Sequence, residues 1–287
     1  MSAFCHGRDR AATSLSRGGR NEAGQNARVG PFGLPITEGL ATVTTVMGKW
    51  SGLEAFNKDA VSNAGYLYTS NARASSVLAN RRLTDAVLAS TDFRGKRVLD
   101  VGCGDGTYTL ELLSQGHAAS VHGIDHAERA VELGRTRAAN KALTFSSGSA
   151  EALPFGDDSF DVAHLRGVLH HLDKPRDALR EALRVAPVVA VTEPNGYNPV
   201  LKILERVSPY HRAHEERSFF PATLHAWARR LGGSVRSGQF VGLVPFFCPD
   251  TLAGALKAVE PFCERAPLFR SICCGTYVFV VERRPTS

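Results

Sequence analysis

The chain has 287 residues, of which 43% are hydrophobic and 22% charged, so it can hold one large domain or two modest ones with a sizeable core. No stretch approaches the ~20 apolar residues of a membrane-spanning helix, and residues 1–26 have no apolar signal core. The net charge of +6 is scattered rather than gathered into a basic stripe. We therefore expect a cytoplasmic protein that neither binds nucleic acid nor inserts stably into membranes.

The six cysteines show no C-x-x-C pair and no metal-type spacing with histidine. Cys273 and Cys274 are adjacent, which is poor geometry for an ordinary disulfide. We expect buried, reduced thiols and no metal site.

Hydrophobic periodicity divides the chain into three parts. Residues 1–46 carry Gly, Ser, Asn and Arg without a sustained period, which predicts a disordered extension. Residues 47–95 are predicted to form a helical lid segment, with apolar residues at helical spacing from 75 to 90. Residues 96–287 are predicted to form one domain, in which 196–271 adds helices and an insertion.

From residue 97 to 192, short apolar runs alternate with amphipathic stretches. The predicted strands are 97–101, 120–124, 143–146, 159–165 and 185–192, and the predicted helices are 106–113, 127–138 and one capped by Asp173. Further helices are predicted at 199–207, 220–231 and 250–263, and strands at 234–240 and 276–281. The alternation predicts parallel βαβ units in a doubly wound α/β fold, with the last two strands as an antiparallel edge.

The segment 98–107 reads Val-Leu-Asp-Val-Gly-Cys-Gly-Asp-Gly-Thr. An apolar strand leads into Asp100 and three alternate glycines, with Cys103 between Gly102 and Gly104. Glycines let the backbone turn tightly and let a ligand approach without a Cβ in the way. Between a strand and a helix of a doubly wound fold, such a loop predicts a ligand-binding crevice.

Asp125 ends the next predicted strand, and His126 follows it. A carboxylate at this position can accept both hydroxyls of a ribose. The alternative is that Asp125 caps the helix that begins at His126. We favour the ribose role, and both roles can coexist.

A nicotinamide-dependent oxidoreductase would share the strand, the glycines and the acid. Its fingerprint is G-x-G-x-x-G, whereas this loop is G-x-G-x-G preceded by Asp100. An acid beside the loop would repel a pyrophosphate, but it attracts the sulfonium and ammonium groups of S-adenosylmethionine. The loop therefore favours S-adenosylmethionine as the cofactor.

Further motifs carry a family resemblance. These are the run Gly-Ser-Ala-Glu-Ala-Leu-Pro-Phe at 148–155, Asp-Ser-Phe-Asp-Val at 158–162 and Val-Leu-His-His-Leu at 168–172. With the glycine loop and Asp125, they resemble class I S-adenosylmethionine-dependent methyltransferases, in particular the ubiquinone/menaquinone methyltransferase-like (methyltransferase type 11) group. The resemblance is specific over residues 97–195 and general elsewhere.

The resemblance implies a Rossmann-like, seven-stranded, mostly parallel sheet of order 3-2-1-4-5-7-6, with helices on both faces and the last strand antiparallel. It implies methyl transfer to oxygen, nitrogen or carbon of a small, partly hydrophobic metabolite. The implied cofactor-binding residues are Asp100, Gly102, Cys103, Gly104, Asp125, His126, Ser149, Ala150 and Arg166. An Asp is usual where Ser149 stands, so the bond to the adenine should be weaker. An oxidoreductase and a non-catalytic cofactor-binding partner of the same fold remain as alternatives.

Candidate catalytic groups follow the predicted fourth and fifth strands. His170 and His171 can supply a general base if the acceptor must lose a proton, or they can pack at a helix start. Glu193 ends the fifth strand, where strand carboxyl ends face the crevice, and it can either meet the acceptor or tie down the following loop.

Two later segments can contribute to the acceptor side. Residues 210–217, which include His214, form either a solvated charged turn or a substrate-side patch. The apolar residues from 241 to 272 are predicted mostly as core at the sheet edge, with a roof over a hydrophobic acceptor as the alternative. Tyr66 to Tyr68 can form part of a lid or simply pack.

Overall fold

The computed structural model describes Thr69 and residues 73–138, 141–208 and 217–284. Seven strands of these residues form one sheet in the order β3-β2-β1-β4-β5-β7-β6. The strands are β1 Arg97–Val101, β2 Ser120–Asp125, β3 Leu143–Ser147, β4 Val162–Arg166, β5 Val188–Pro194, β6 Gly233–Val241 and β7 Thr276–Arg283. β7 pairs antiparallel with β5 and β6, and the other pairs are parallel. The predicted fold class and strand order are confirmed.

Eight α-helices lie in the described residues. They are α1 Ala74–Ser90, α2 Thr107–Ser114, α3 Glu128–Arg137, α4 Pro175–Val185, α5 Pro199–Val207, α6 Pro221–Arg230, α7 Asp250–Arg265 and α8 Pro267–Cys273. One core cluster joins the sheet to Leu179 of α4 and Leu224 of α6. Another joins it to Leu83 of α1, Leu112 of α2 and Val131 of α3. Helices therefore cover both faces, as in a doubly wound fold.

β5 shows why the central strands lack hydrophobic alternation. Val189, Val191 and Glu193 are fully buried, and so are Ala190 and Thr192 between them. Because both faces of this part of the sheet are covered, most side chains on either face are apolar. The carboxylate of Glu193 is hydrogen-bonded, whereas Thr192 Oγ1 has no partner among the described residues.

Several element boundaries differ from those predicted. β4 begins at Val162 rather than at 159, because Ser159 closes a turn by donating to the carbonyl of Gly156. β5 begins at Val188 because α4 continues to Val185. Asp173 does not cap α4, whose N-cap is Lys174 without a side-chain bond.

The expectation that the apolar residues of 241–272 are mostly core is wrong. Val244 and Ala253 are buried, but Phe262, Leu268 and Phe269 are 74%, 82% and 56% exposed. This segment forms α7 and the unpredicted α8. α7 packs on α1, where Arg82 binds Glu264, and no described residue buries the outward side chains of the two helices.

Within the described parts of the chain, no helix has the length and apolar character needed to cross a membrane. The same residues contain no group of His, Cys, Asp and Glu that could hold a metal ion. Cys103, Cys248, Cys263, Cys273 and Cys274 are free thiols.

Candidate functional site

The loop after β1 depends on glycine conformations. Gly102, Gly104 and Gly106 have φ angles of +70°, +53° and +78°, which side chains with a Cβ rarely adopt. A Cβ on Gly102 would lie 2.4 Å from a methyl carbon of Val168. The loop therefore turns sharply against the segment that follows β4, and its backbone is partly exposed at Gly102.

Asp125 fastens this loop to the end of β2. Its Oδ2 accepts from the backbone N–H of Gly104 at 2.8 Å, and its Oδ1 accepts from that of Ala127 at 2.8 Å. Burial raises the pKa of Asp125, and the two N–H donors oppose that shift. Asp125 does not cap the helix that follows, because α3 begins at Glu128 with Ala127 as its N-cap and no side-chain cap bond. Its carboxylate fixes the turn before the helix and keeps further lone pairs for hydroxyls. His126 is exposed next to it.

Asp100 is buried, and both of its carboxylate oxygens are bonded inside the protein. It is 2% exposed, its Oδ2 accepts from Thr109 Oγ1 at 2.6 Å, and its Oδ1 lies 2.8 Å from His164 Nδ1. Sequence reasoning missed both partners, because His164 is 64 residues away along the chain. Asp100 therefore acts on the loop through its charge and through this buried network.

Asp105 is a further acid of the loop that sequence reasoning did not single out. It is 1% exposed and forms an ion pair of 3.0 Å with Arg137 of α3. Its Oδ2 also accepts from Thr69 Oγ1 at 2.6 Å. The only available signal was its place between two glycines, since the pairing cation comes from another helix.

The thiol of Cys103 lies near the acids of the loop and responds to their charge. Its thiol is 6% exposed, and its pKa is raised well above the ordinary value, first by burial and then by the charges of Asp125 and Asp100. Asp105, which pairs with Arg137, acts on the thiol in the same direction but less strongly. The negative potential of these acids favours a bound cation.

The segment after β3 lies beside Asp125. The N–H of Gly148 donates to the carbonyl of Asp125 at 2.9 Å. Ser149 and Ala150 are half-buried, and Ser149 Oγ accepts from the N–H of Glu151 at 3.2 Å. The structure therefore brings the predicted adenine-side residues to the predicted ribose-side residue.

Arg166 is the last residue of β4, and its side chain reaches α1. Its guanidinium donates to Thr84 Oγ1 at 2.8 Å and to the carbonyl of Asn80 at 3.2 Å. It also stacks on Tyr108, with 3.5 Å from Cζ to the ring centroid. The side chain thus locks α1 onto α2 and β4.

Glu193 and His170 form a buried anchor. The carboxylate of Glu193 accepts from the backbone N–H groups of Val168, Leu169 and His170 at 3.0, 2.8 and 3.2 Å. His170 Nδ1 lies 2.9 Å from Oε2 of the same carboxylate. This arrangement favours the loop-anchoring role of Glu193, applied to the loop after β4. His171 is half-buried, with its ring centroid 3.9 Å from that of His170.

His214 lies outside the described residues, as do 209–216 as a whole and Tyr66 to Tyr68. Arg217, at the border of this stretch, is exposed and donates to the carbonyl of Leu172. The border of the 210–217 segment therefore contacts the chain just after the two histidines.

The residues present fit S-adenosylmethionine. Gly102 presents no Cβ at the turn of the loop, where a Cβ would clash with Val168. The potential of Asp100 and Asp125 suits a sulfonium and an ammonium, whereas it disfavours a pyrophosphate. A carboxylate at Asp125 and a hydroxyl at Ser149 lie on neighbouring segments of the same edge, where Gly148 bonds Asp125.

Comparisons with known proteins agree with this fit. Residues 99–187 match a family described as "Methyltransferase domain". A demethylmenaquinone methyltransferase from Clavibacter sepedonicus is 31% identical over 163 residues, 48% of this chain and 65% of that protein. A phthiotriol/phenolphthiotriol dimycocerosates methyltransferase from Mycobacterium tuberculosis is 38% identical over 108 residues, 38% of either chain. The chain thus spans less than two thirds of these curated relatives.

A solved structure shows the same fold. The YcgJ protein from Bacillus subtilis superimposes with a TM-score of 0.51 at 19% identity, covering 70% of this chain and 98% of that one. S-adenosylmethionine is the cofactor that the domain match indicates. Residues 99–187 therefore form a methyltransferase domain of the class I, S-adenosylmethionine-dependent group, related to the menaquinone-type enzymes.

Proposed function

We propose that the protein transfers the methyl group of S-adenosylmethionine to oxygen, nitrogen or carbon of a small, partly hydrophobic acceptor. The observation that carries this proposal is the glycine loop fastened to Asp125 at the carboxyl edge of the sheet. Ligands of doubly wound folds bind at this edge.

The cofactor would be held along this edge. We assign the ribose hydroxyls to Asp125, the adenine edge to Ser149 and Ala150, and the methionine end to the backbone of Gly102 and Gly104. When bound, the cofactor supplies a methyl group activated on a sulfonium. The chain then contributes orientation and exclusion of water, which give much of the rate of an in-line displacement.

The acceptor side combines aromatic rings with few polar groups. The rings of Tyr197 and Phe220 lie 5.3 Å apart by centroid, and that of Phe240 lies 6.4 Å from Tyr197. Tyr197 follows β5, Phe240 lies near the end of β6, and Phe220 is the N-cap of α6. Such a wall suits a partly hydrophobic metabolite, and the names of the two relatives specify small-molecule acceptors.

The candidate bases differ in their surroundings. Glu193 and His170 bind each other, so we assign them to positioning the loop after β4. His171 is the candidate base where the acceptor must lose a proton, and His214 remains a second candidate from the sequence alone.

Calorimetry with S-adenosylhomocysteine, S-adenosylmethionine and NAD tests the cofactor assignment. We expect both adenosyl compounds to bind and NAD not to bind. Tight NAD binding without adenosylhomocysteine binding would favour the oxidoreductase instead. Incubation of extracts with cofactor carrying a labelled methyl group then tests turnover, because a non-catalytic partner would bind the cofactor and label nothing.

A further inference from the structure

An outward apolar face distinguishes the second half of the chain. Among the described residues, fourteen large apolar side chains are exposed, and twelve of them lie between positions 197 and 272. Most belong to α5, α7 and α8. We call the exposed apolar residues of these three helices the outer apolar surface; its members are Val200, Ile203, Val207, Leu252, Val259, Phe262, Leu268, Phe269 and Ile272.

α5 shows most simply an apolar helix face that is turned to solvent. Val200, Ile203 and Val207 are 60%, 59% and 61% exposed. Their spacing of three and four residues places them on one face of the helix. A surface helix normally turns such a stripe toward the core, yet α5 has no buried residue.

The corner between α7 and α8 is the most exposed part of the outer apolar surface. Phe262 lies in the last turn of α7, and Leu268 and Phe269 lie in the first turn of α8. Two aromatic rings and a leucine therefore project into solvent within eight residues. Exposed apolar patches of this kind mark interaction sites.

Two asparagines join α5 to α8 at the crevice edge. Asn198 caps α5 by accepting from the N–H groups of Val200 and Leu201, and its Nδ2 donates to the carbonyl of Cys273 at 3.2 Å. Asn195, which is fully buried, donates to the carbonyl of Ser271 at 2.8 Å. The outer apolar surface is thus attached firmly beside the proposed acceptor side.

The acids of these helices are mostly turned inward. Glu260 is 1% exposed and accepts from the N–H of Leu243. Glu264 receives two guanidinium bonds from Arg82 and a backbone bond from Gly242. Glu205 of α5 is likewise bonded to the N–H of Ser218. The exception is Asp250, at the far end of α7 from the exposed corner.

The arginines of these helices are exposed instead, whereas Lys202 and Lys257 pair with Glu205 and Glu260. Arg206, Arg265 and Arg270 are exposed on the same three helices. Arg265 and Arg270 also line a cavity of about 340 Å³ between the α7–α8 corner and β6, next to Phe240. Its lining includes Glu264, whose charge is paired with Arg82. The outer apolar surface is therefore rimmed by positive charge, and the cavity is large enough to admit a phosphate group.

We propose that the outer apolar surface docks peripherally on an anionic lipid bilayer. The apolar side chains enter the boundary between headgroups and acyl chains, and the arginines meet lipid phosphates. A second copy of the chain is a poorer partner, because a self-complementary contact would oppose arginines to arginines while the nearby glutamates are already bonded.

Flotation of the full-length protein with vesicles tests this docking. We expect binding to phosphatidylcholine vesicles that contain phosphatidylglycerol, weaker binding to phosphatidylcholine alone, and loss of binding as salt is added. The triple variant Phe262→Ser, Leu268→Ser, Phe269→Ser should bind at least about tenfold more weakly. Because the three replaced side chains are exposed, we expect the variant to fold normally. Val77→Ser, an exposed apolar residue of α1, is the matched control.

Two further variants test how much the arginines contribute to vesicle binding. Arg265→Gln and Arg270→Gln should each weaken binding to the anionic vesicles about fivefold, with little effect on neutral ones. Adenosylhomocysteine affinity should remain unchanged in every variant, which separates failure of the docking proposal from failure of the proposed function.

Three results would overturn the proposal. They are absence of flotation with anionic vesicles, flotation that the triple variant leaves intact, and a concentration-dependent dimer that the triple variant abolishes. The last result, measured by light scattering, would assign the surface to a second copy of the chain.

Discussion

Nδ1 of His170 lies 2.9 Å from Oε2 of Glu193, and the backbone N–H of His170 donates to the same oxygen at 3.2 Å. Glu193 ends β5 and His170 lies in the short helix Leu169–His171 after β4. The N–H groups of Val168 and Leu169 complete the set of donors. One fully buried carboxylate therefore fixes the loop that packs against the cofactor loop at Gly102.

Replacing this carboxylate should destabilise the protein strongly. Glu193→Gln keeps the size but offers an amide N–H₂ to donors, so we expect a loss of about 3 kcal/mol in the free energy of unfolding. Urea denaturation measures it. Glu282→Gln, in a half-exposed pair with Arg236, is the control and should change stability by less than about 0.5 kcal/mol. Equal effects of the two variants would contradict the anchoring role.

Asp125→Asn should weaken cofactor binding and also destabilise the glycine loop. The amide can accept one backbone bond but not both, and it loses the charge that ribose hydroxyls would meet. We expect cofactor affinity to fall by about 1.5–3 kcal/mol and the stability of the free protein to fall by about 1 kcal/mol.

The exposed Asp92 provides the matched control, because its Oδ1 accepts from the N–H two residues later, as that of Asp125 does. Asp92→Asn should leave cofactor affinity unchanged in calorimetry. Normal adenosylhomocysteine affinity of a folded Asp125→Asn protein would leave Asp125 only the structural role of holding Gly104 and Ala127.

The cofactor edge could be predicted from the sequence because its signals are local. A strand, three alternate glycines and an acid at the end of the next strand are contiguous patterns, and parallel strands bring their carboxyl ends to one edge. The family resemblance supplied the strand order, which apolar periodicity alone does not determine. Ser149 and Asp125 meet at this edge for the same reason.

Side-chain directions could not be predicted, because distant residues determine them. Arg166 turns to Thr84, 82 positions away, and Asp100 turns to His164, 64 positions away. The burial of the apolar residues of α7 and α8 was predicted wrongly for another reason. Periodicity indicates that a helix has an apolar face, but whether anything covers that face depends on the layers of the fold.

Gly102→Ala should lower the free energy of unfolding for two separable reasons. The φ of +70° disfavours a Cβ, and the Cβ would also meet Val168 at 2.4 Å. Gly95 has the same φ of +70°, but a Cβ there would have no neighbouring atom within 4 Å. Gly95→Ala should therefore cost about 1–2 kcal/mol from the backbone alone, and Gly102→Ala about 1–3 kcal/mol more from overpacking.

The double variant Gly102→Ala with Val168→Ala isolates the clash. It should recover part of the stability lost by Gly102→Ala in urea denaturation, even though Val168→Ala alone is destabilising. If the two losses simply add, Val168 does not restrict the loop and the close approach at Gly102 has another role.

Stability should also depend on pH through two histidines that burial keeps neutral. His122 on β2 lies between Thr144 and Ser146, with 2.8 Å from Nδ1 and 2.7 Å from Nε2 to the two hydroxyls. Burial lowers the pKa of His122 in the folded protein. As pH falls below the unfolded value of about 6.5, the unfolded chain takes up a proton before the folded one does. Stability should therefore fall from that value down to the depressed folded pKa and show no further contribution from His122 below it. His122→Gln should flatten this slope in urea midpoints measured across the window.

His225, whose pKa is lowered by burial and then by Arg229, should account for a second part of the pH dependence of stability. His225→Gln should remove that part. If the double variant keeps the full slope of the wild type, neither imidazole is held neutral by burial, and the acid sensitivity comes from other groups.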